Sequence, residues 1–247
     1  MSGHSKWAGI KHKKAIVDAK KGKAWTKVAN MISAAARAGG SDPSANFKLR
    51  LAIDKAKEAN MPKDNIDRAI KRGTGELKGA AVEEIRYEGY GPGGVAVIVD
   101  AATDNRNRTA SEVRAAFSKH NGKLGETGSV GWMFDNKGQI LVFTHGADKE
   151  ELILQAIDLG AEDVKESSND QLVIYIEPRD LETMEKTLKE NSFKVDTAEV
   201  SLVPQNEVLI SDEKTANQIL KLMDALEDID DVTEVMSNFD IPDEMMK

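Results

Sequence analysis

The side chains most able to do chemistry in this 247-residue chain are cations. The first 30 residues carry Lys6, Lys11, Lys13, Lys14, Lys20, Lys21, Lys23 and Lys27 against one acid, Asp18. Clustered ammonium groups displace the condensed counterions of a nucleic acid, so such a run predicts salt-dependent polyanion binding. Trp7 and Trp25 flank the run. An indole can stack on a base, but on an amphipathic helix it more often fills a core. Trp25 is therefore expected inside, and Trp7 is the stacking candidate. A second constellation is Asp104-Asn-Arg-Asn-Arg-Thr109. Arg106 and Arg108 stand there at a helix start, where amide donors and guanidinium groups both favour oxyanions. The plainer alternative is an N-cap with two solvated arginines.

Other chemistries lack their residues. The chain has no cysteine, which removes disulfide frameworks, thiolate metal sites and thiol nucleophiles. His4, His12, His120 and His145 fall in no zinc-binding spacing. Gly89-Tyr-Gly-Pro-Gly-Gly94 matches a dinucleotide pattern literally. However, a strand rather than a helix is expected after it, and Pro92 removes a donor, so it reads as a tight turn between strands. No P-loop, nucleophile elbow or acid/base pair of distinctive spacing is present. Catalysis is not expected, nor a cofactor, a metal or a small-molecule substrate. The carboxylates of residues 227–231 read as a solvated acidic turn. No apolar run is long enough to span a membrane and the N-terminus has no apolar signal segment, so no membrane partner and a cytoplasmic location are expected.

The elements that must position these residues divide by charge. Residues 1–78 hold 18 Lys and Arg against 7 Asp and Glu, a net of +11, whereas residues 79–247 hold 16 against 35, a net of −19. The basic part reads as helices over 12–21, 22–37, a segment opened by Asp42-Pro43, and one from Pro62 to a Gly73-Thr-Gly75 stop. Residues 73–81 read as a linker. Strands follow at 85–90 and 95–101, a helix at 109–119 capped by Asp104 or Asn105, and a strand at 130–134. Strand–helix–strand then occurs twice, over 139–165 and 172–203, as in a split β-α-β sandwich of the ferredoxin type. A last unit has a strand at 208–210, a helix at 212–227 and a strand at 232–236, and is too small to stand alone. The expected fold is α+β in three domains. These are a basic helical domain over 1–79, a discontinuous middle domain over 80–135 and 205–240, and an inserted ferredoxin-like domain over 136–204.

Five stretches together resemble the YebC family: Met1-Ser-Gly-His-Ser-Lys-Trp7 with Ile10-Lys-His-Lys-Lys14; Asp18-Ala-Lys-Lys-Gly-Lys23; Asn60-Met-Pro-Lys-Asp-Asn-Ile66; Arg86-Tyr-Glu-Gly-Tyr-Gly-Pro-Gly-Gly94; and Thr103-Asp-Asn-Arg-Asn-Arg-Thr109. The resemblance implies an N-terminal helical domain, a middle α+β domain and a further α+β domain inserted in it. It also implies work on nucleic acid. Family members are described mostly as probable DNA-binding transcriptional regulators, mitochondrial relatives as translational activators, and bacterial members have been linked to the ribosome. DNA is the first expected partner and ribosomal RNA the alternative. The oligomeric state is not read from the sequence. Ala29-Asn30, Phe47 and Ala115 depart from the family pattern, which usually has Arg-Glu, Pro and His there.

Overall fold

The computed structural model describes residues 21–144, 149–168 and 170–242. The expected first helix, and with it Lys6, Trp7, Lys11, Lys13, Lys14 and Lys20, lies outside the described residues, as does the side chain of Lys21. The chain adopts the expected α+β class, with helices first and antiparallel sheets after. Its described residues fall into two compact units, one of residues 21–131 and 210–237, the other of residues 132–209 and 238–242.

The larger unit opens with α1 (Lys21–Gly39), α2 (Phe47–Glu58) and α3 (Lys63–Gly73). Ile32, Ala35 and Ala36 of α1 meet Leu49, Ala52 and Ala56 of α2 and Ile66 and Ala69 of α3 in one core, with Trp25 packed against it. The Trp25 indole N–H donates to the Ala59 carbonyl at 2.9 Å, so the ring has both an apolar bed and a polar partner. Small residues set the α1–α3 approach. Ser33 donates to the Ala69 carbonyl at 2.8 Å, and a Cβ on Gly73 would stand 2.3 Å from the Ser33 carbonyl oxygen. Asp42-Pro43 does not start α2. The Asp42 carboxylate accepts from the Ser44 amide and hydroxyl at 2.8 and 2.7 Å, closing a local turn that competes with helix initiation. Buried Asn46 is the N-cap instead. Its oxygen accepts from the Leu49 amide, and its nitrogen donates to the carbonyls of Ala35 and Gly40.

Strands β1 (Glu83–Tyr90) and β2 (Ala96–Thr103) form an antiparallel hairpin closed by a one-turn 3₁₀ segment, Pro92–Gly94. Gly93 holds φ at 74° there, as the reading of this motif as a turn requires. Helix α4 (Arg106–Lys119) and the short β3 (Lys123–Leu124) follow. Later in the chain come α7 (Glu213–Glu227) and β9 (Val232–Ser237). Strand β9 pairs with β2, Val97 opposite Ser237 and Ala101 opposite Val232, giving the sheet order β3-β1-β2-β9. The central strand β2 is buried almost throughout, and helices α4 and α7 lie in contact, with Val113 and Phe117 of the first and Ile219 and Leu222 of the second buried. Of the strand expected at 130–134, only Phe134 is extended, as the first residue of the next strand. The amides of Gly128, Val130 and Gly131 donate to the carboxylate of buried Glu88, at 2.9, 2.8 and 2.6 Å. Those donors are therefore not available to a neighbouring strand, and the chain turns through residues 131–133 before the next strand.

The smaller unit has β4 (Phe134–Phe143), α5 (Lys149–Asp158), β5 (Asp163–Ser168), β6 (Gln171–Ile176), α6 (Leu181–Glu190) and β7 (Lys194–Pro204). The sheet order is β5-β6-β4-β7, antiparallel throughout, which is the split β-α-β arrangement that the internal repeat predicts. Ile140, Val142, Leu172, Ile174 and Ile176 are buried, as are Leu152 of α5 and Leu181, Met184 and Leu188 of α6. Burying each such side chain contributes roughly 1.5–3 kcal/mol. The expected strand at 208–210 is shorter, β8 (Val208–Leu209), and pairs in parallel with β10 (Phe239–Asp240) rather than joining β1 and β2. After β9 the chain turns at Asn238, whose carbonyl takes the Val208 amide at 2.7 Å.

Candidate nucleic-acid interface

Among the described candidates, Lys23 and Lys27 lie on the first turns of α1. Both reach the C-terminal end of α7. The Lys27 ammonium donates to the Glu227 carbonyl, and Lys23 donates to the Asp228 carbonyl at 3.3 Å while standing 3.9 Å from the Asp230 carboxylate. A helix C-terminus concentrates unpaired carbonyl oxygens, and cations are favourable there. These two lysines therefore join the helices to the acidic turn at 227–231.

Arg106 and Arg108 occupy the first turn of α4, which Asn105 caps by accepting from the Arg108 amide at 3.1 Å. Their surroundings differ. The Arg106 side chain is 67% exposed, and Glu83, at 3.7 Å, is its one ion-pair partner among the described residues. Arg108 turns back onto Asp231, with Nη2 at 2.8 and 3.0 Å from the two carboxylate oxygens and Nε at 3.2 Å. Asp231 is 5% exposed and also accepts from Thr103 at 3.1 Å and Thr109 at 2.7 Å. The hydrogen bonds and charge of Asp231 push the Arg108 guanidinium further above its ordinary range. The turn at 227–231 is thus not a wholly solvated acidic turn. Its last carboxylate is the buried anchor of Arg108. Sequence reading missed this partner because 122 residues separate Asp231 from Thr109.

The network continues into the helices. Asp104 accepts from Arg108 at 3.2 Å and from Arg72 of α3 at 2.8 Å. Arg72 also donates to Asn30 of α1 at 3.4 Å. Asn30, one of the departures noted in the sequence, is buried and neutral, and Asp104 is the one ion-pair partner of Arg72 among the described residues. Of the other departures, Phe47 opens α2 with the Arg50 guanidinium 5.2 Å above its ring, and Ala115 lies in α4. A cleft of about 640 Å³ is lined by Lys23, Asn30, Arg72, Asp104, Arg108 and Asp231 among others. Its wall holds three cations against five carboxylates.

A different set of cations is open. Lys63, Arg68 and Lys71 of α3 and Lys78 beyond it are exposed, and no hydrogen bond or ion pair holds any of them among the described residues. Arg68 and Lys71 fall off the stripe of Ile66, Ala69 and Ile70 that packs into the core, and that spacing is the available signal. Among the described residues no three His, Asp or Glu side chains are placed to hold a metal ion, and no helix is long and apolar enough to cross a membrane.

Residues 5–76 match the TACO1/YebC protein N-terminal domain, and residues 82–239 match the TACO1/YebC second and third domain. Similar curated proteins include probable transcriptional regulatory proteins of Halothermothrix orenii, 56% identical over 100% of this chain and 98% of that one, and of Moorella thermoacetica, 55% identical with the same coverage. The crystal structure of a conserved hypothetical protein from Aquifex aeolicus is 47% identical and superposes with a TM-score of 0.86, covering 94% of this chain and 96% of that chain. With both family models matched and full-length relatives above half identity, this chain belongs to the TACO1/YebC family.

Proposed function

We propose that this chain is a non-enzymatic regulator of gene expression that binds DNA through its basic N-terminal helices. The observation that carries the reading is the division of charge, +11 over residues 1–78 against −19 over the rest. Phosphate contacts from Lys6, Lys11, Lys13, Lys14, Lys20 and Lys21 position the nucleic acid, Lys23 and Lys27 add to them less directly because their ammonium groups reach the end of α7, and Trp7 supplies a stacking face. Arg106 is the open cation of its motif. Arg108 contributes less directly, since its guanidinium is held by Asp231 and Asp104. The names of the relatives, probable transcriptional regulatory proteins, support regulation of transcription. No helix-turn-helix spacing with base-reading Asn, Gln or Arg is evident, so the contacts proposed are to the backbone rather than to base edges. The absence of an activated nucleophile or cofactor cradle in the sequence supports a role without catalysis in the cytoplasm.

The second reading is a translation factor that uses the same lysines on ribosomal RNA, favoured by the family's mitochondrial members. Crosslinking in cells, with recovery of both DNA and RNA, separates the two. The control is the chain with Lys13, Lys14, Lys20 and Lys21 replaced by glutamine. Promoter DNA recovered without ribosomal RNA supports the first reading. Ribosomal RNA at a few discrete positions, lost in the control, replaces it with the second. Recovery of neither nucleic acid above the control refutes both.

A further inference from the structure

The larger unit carries a second groove whose electrostatics are opposite to those of the cleft beside Asp231. It lies between the C-terminal end of α1 and residues 73–81, with a volume of about 780 Å³. Its wall contains Arg37, Arg72 and Lys78 and no carboxylate. The rest is small, including Gly40, Gly73, Gly75 and Gly79, so the main chain is accessible there. Glu76, the acid nearest in sequence, accepts from the Thr74 hydroxyl at 2.9 Å and is not part of the wall. The segment is ordered by its own hydrogen bonds, from the Thr74 amide to Ile70 and from the Leu77 amide to the Lys71 carbonyl. Beyond these, the amides of Lys78 and Gly79 have no backbone acceptor among the described residues. Arg37 gives one N–H to the Val82 carbonyl at 3.4 Å, which leaves the rest of its fork open.

An open groove whose wall holds Arg37 and Lys78, beside an Arg72 engaged by Asp104, and no acid suits an oxyanion. The first cleft, at three cations against five acids, repels one. Arg72 lies in both walls and turns its guanidinium to Asp104 in the first. Outside the groove, Arg68 and Lys71 continue the positive surface along α3. We infer that this groove runs along the backbone of the bound nucleic acid, with Arg37 and Lys78 each contacting one phosphate, so that the binding surface includes the C-terminal end of α1. The inference rests on the nucleic-acid reading above and adds to it a site beyond the N-terminal lysines.

The test compares the full chain, the Arg37→Gln/Lys78→Gln double variant, and a control of equal charge change on α6, Lys186→Gln/Lys189→Gln. Affinity for a labelled duplex and for a structured RNA is measured by fluorescence anisotropy between 50 and 200 mM salt. Each phosphate contact contributes about 0.9 to the slope of log affinity against log salt on duplex DNA, and about 0.7 on a single strand. Losing two contacts flattens the duplex slope by about 1.8, so the wild-type advantage at 50 mM shrinks by about 12-fold at 200 mM. The control keeps the wild-type slope, and the charge-preserving Arg37→Lys/Lys78→Arg swap restores it. Lys78→Gln alone, at an exposed residue with no side-chain partner among the described residues, provides the fallback if the double variant unfolds, with a slope change of about 0.9. A wild-type slope in the glutamine variants overturns the groove and leaves the reading of the N-terminal lysines intact. A wild-type chain that binds neither probe at 50 mM salt overturns both.

Discussion

Replacing Arg108 by glutamine tests whether the Asn105–Thr109 motif is an internal joint or a contact surface. The variant removes three donor contacts from the Asp231 carboxylate, at 2.8, 3.0 and 3.2 Å, and leaves that carboxylate buried with the Thr103 and Thr109 hydroxyls. Breaking a fully buried ion pair by deleting one partner costs about 3–5 kcal/mol. The Arg108 side chain is 45% exposed, so solvent screens part of the attraction, and the two hydroxyls keep part of the stabilisation of the anion. The loss expected is about 2–3 kcal/mol, or a fall of about 4–12 °C in Tm for a chain of this size. Urea unfolding of both proteins at neutral pH reads this loss directly. A variant within about 0.5 kcal/mol of wild type, with nucleic-acid affinity lost, refutes the structural assignment and makes Arg108 a direct contact.

Glu88 stabilises residues 128–131 in a related way. Burial pushes its carboxyl up, but the amides of Gly128, Val130 and Gly131 and the charge of Arg86 outweigh this and hold it below the ordinary glutamate value. Its contribution is complete above the unfolded value of about 4.3 and is lost as pH falls through the lower folded value. Glu88→Gln, which sets an amide nitrogen against backbone donors, costs about 1–3 kcal/mol at pH 7, and the difference from wild type narrows in acid, as urea midpoints would show. Gly73→Ala places a methyl 2.3 Å from the Ser33 carbonyl oxygen and 2.9 Å from the Ala36 methyl, forcing α1 and α3 apart. A loss of about 1–3 kcal/mol, measured by thermal unfolding, is expected, and an unchanged Tm contradicts the observed approach. Asn46→Ala removes the N-cap of α2 and leaves the Gly40 and Ala35 carbonyls without their amide donor. About 1–2 kcal/mol is expected by denaturant titration.

The sequence by itself determined whatever is local. Period 3.6 located α1, α3, α4, α6 and α7 to within a few residues, alternation located β1 and β2, and the repeated strand–helix–strand pattern specified the sheet order of the smaller unit. The residues that carry the family resemblance and the division of charge are also linear properties. Tertiary structure decided what depends on partners far apart in the chain. Arg106 and Arg108 are two residues apart and read alike, yet one is open and the other is held by a carboxylate 123 residues away. Residues 130–133 have the composition of a strand but turn, because a distant glutamate takes the amides of Val130 and Gly131. Asp42-Pro43 has the form of a helix start, but Asn46, fixed by the carbonyls of α1, is the better cap. In each case a local preference of about 1 kcal/mol was overridden by a buried charge or a buried hydrogen bond whose loss costs more, and burial is fixed only once the chain has folded.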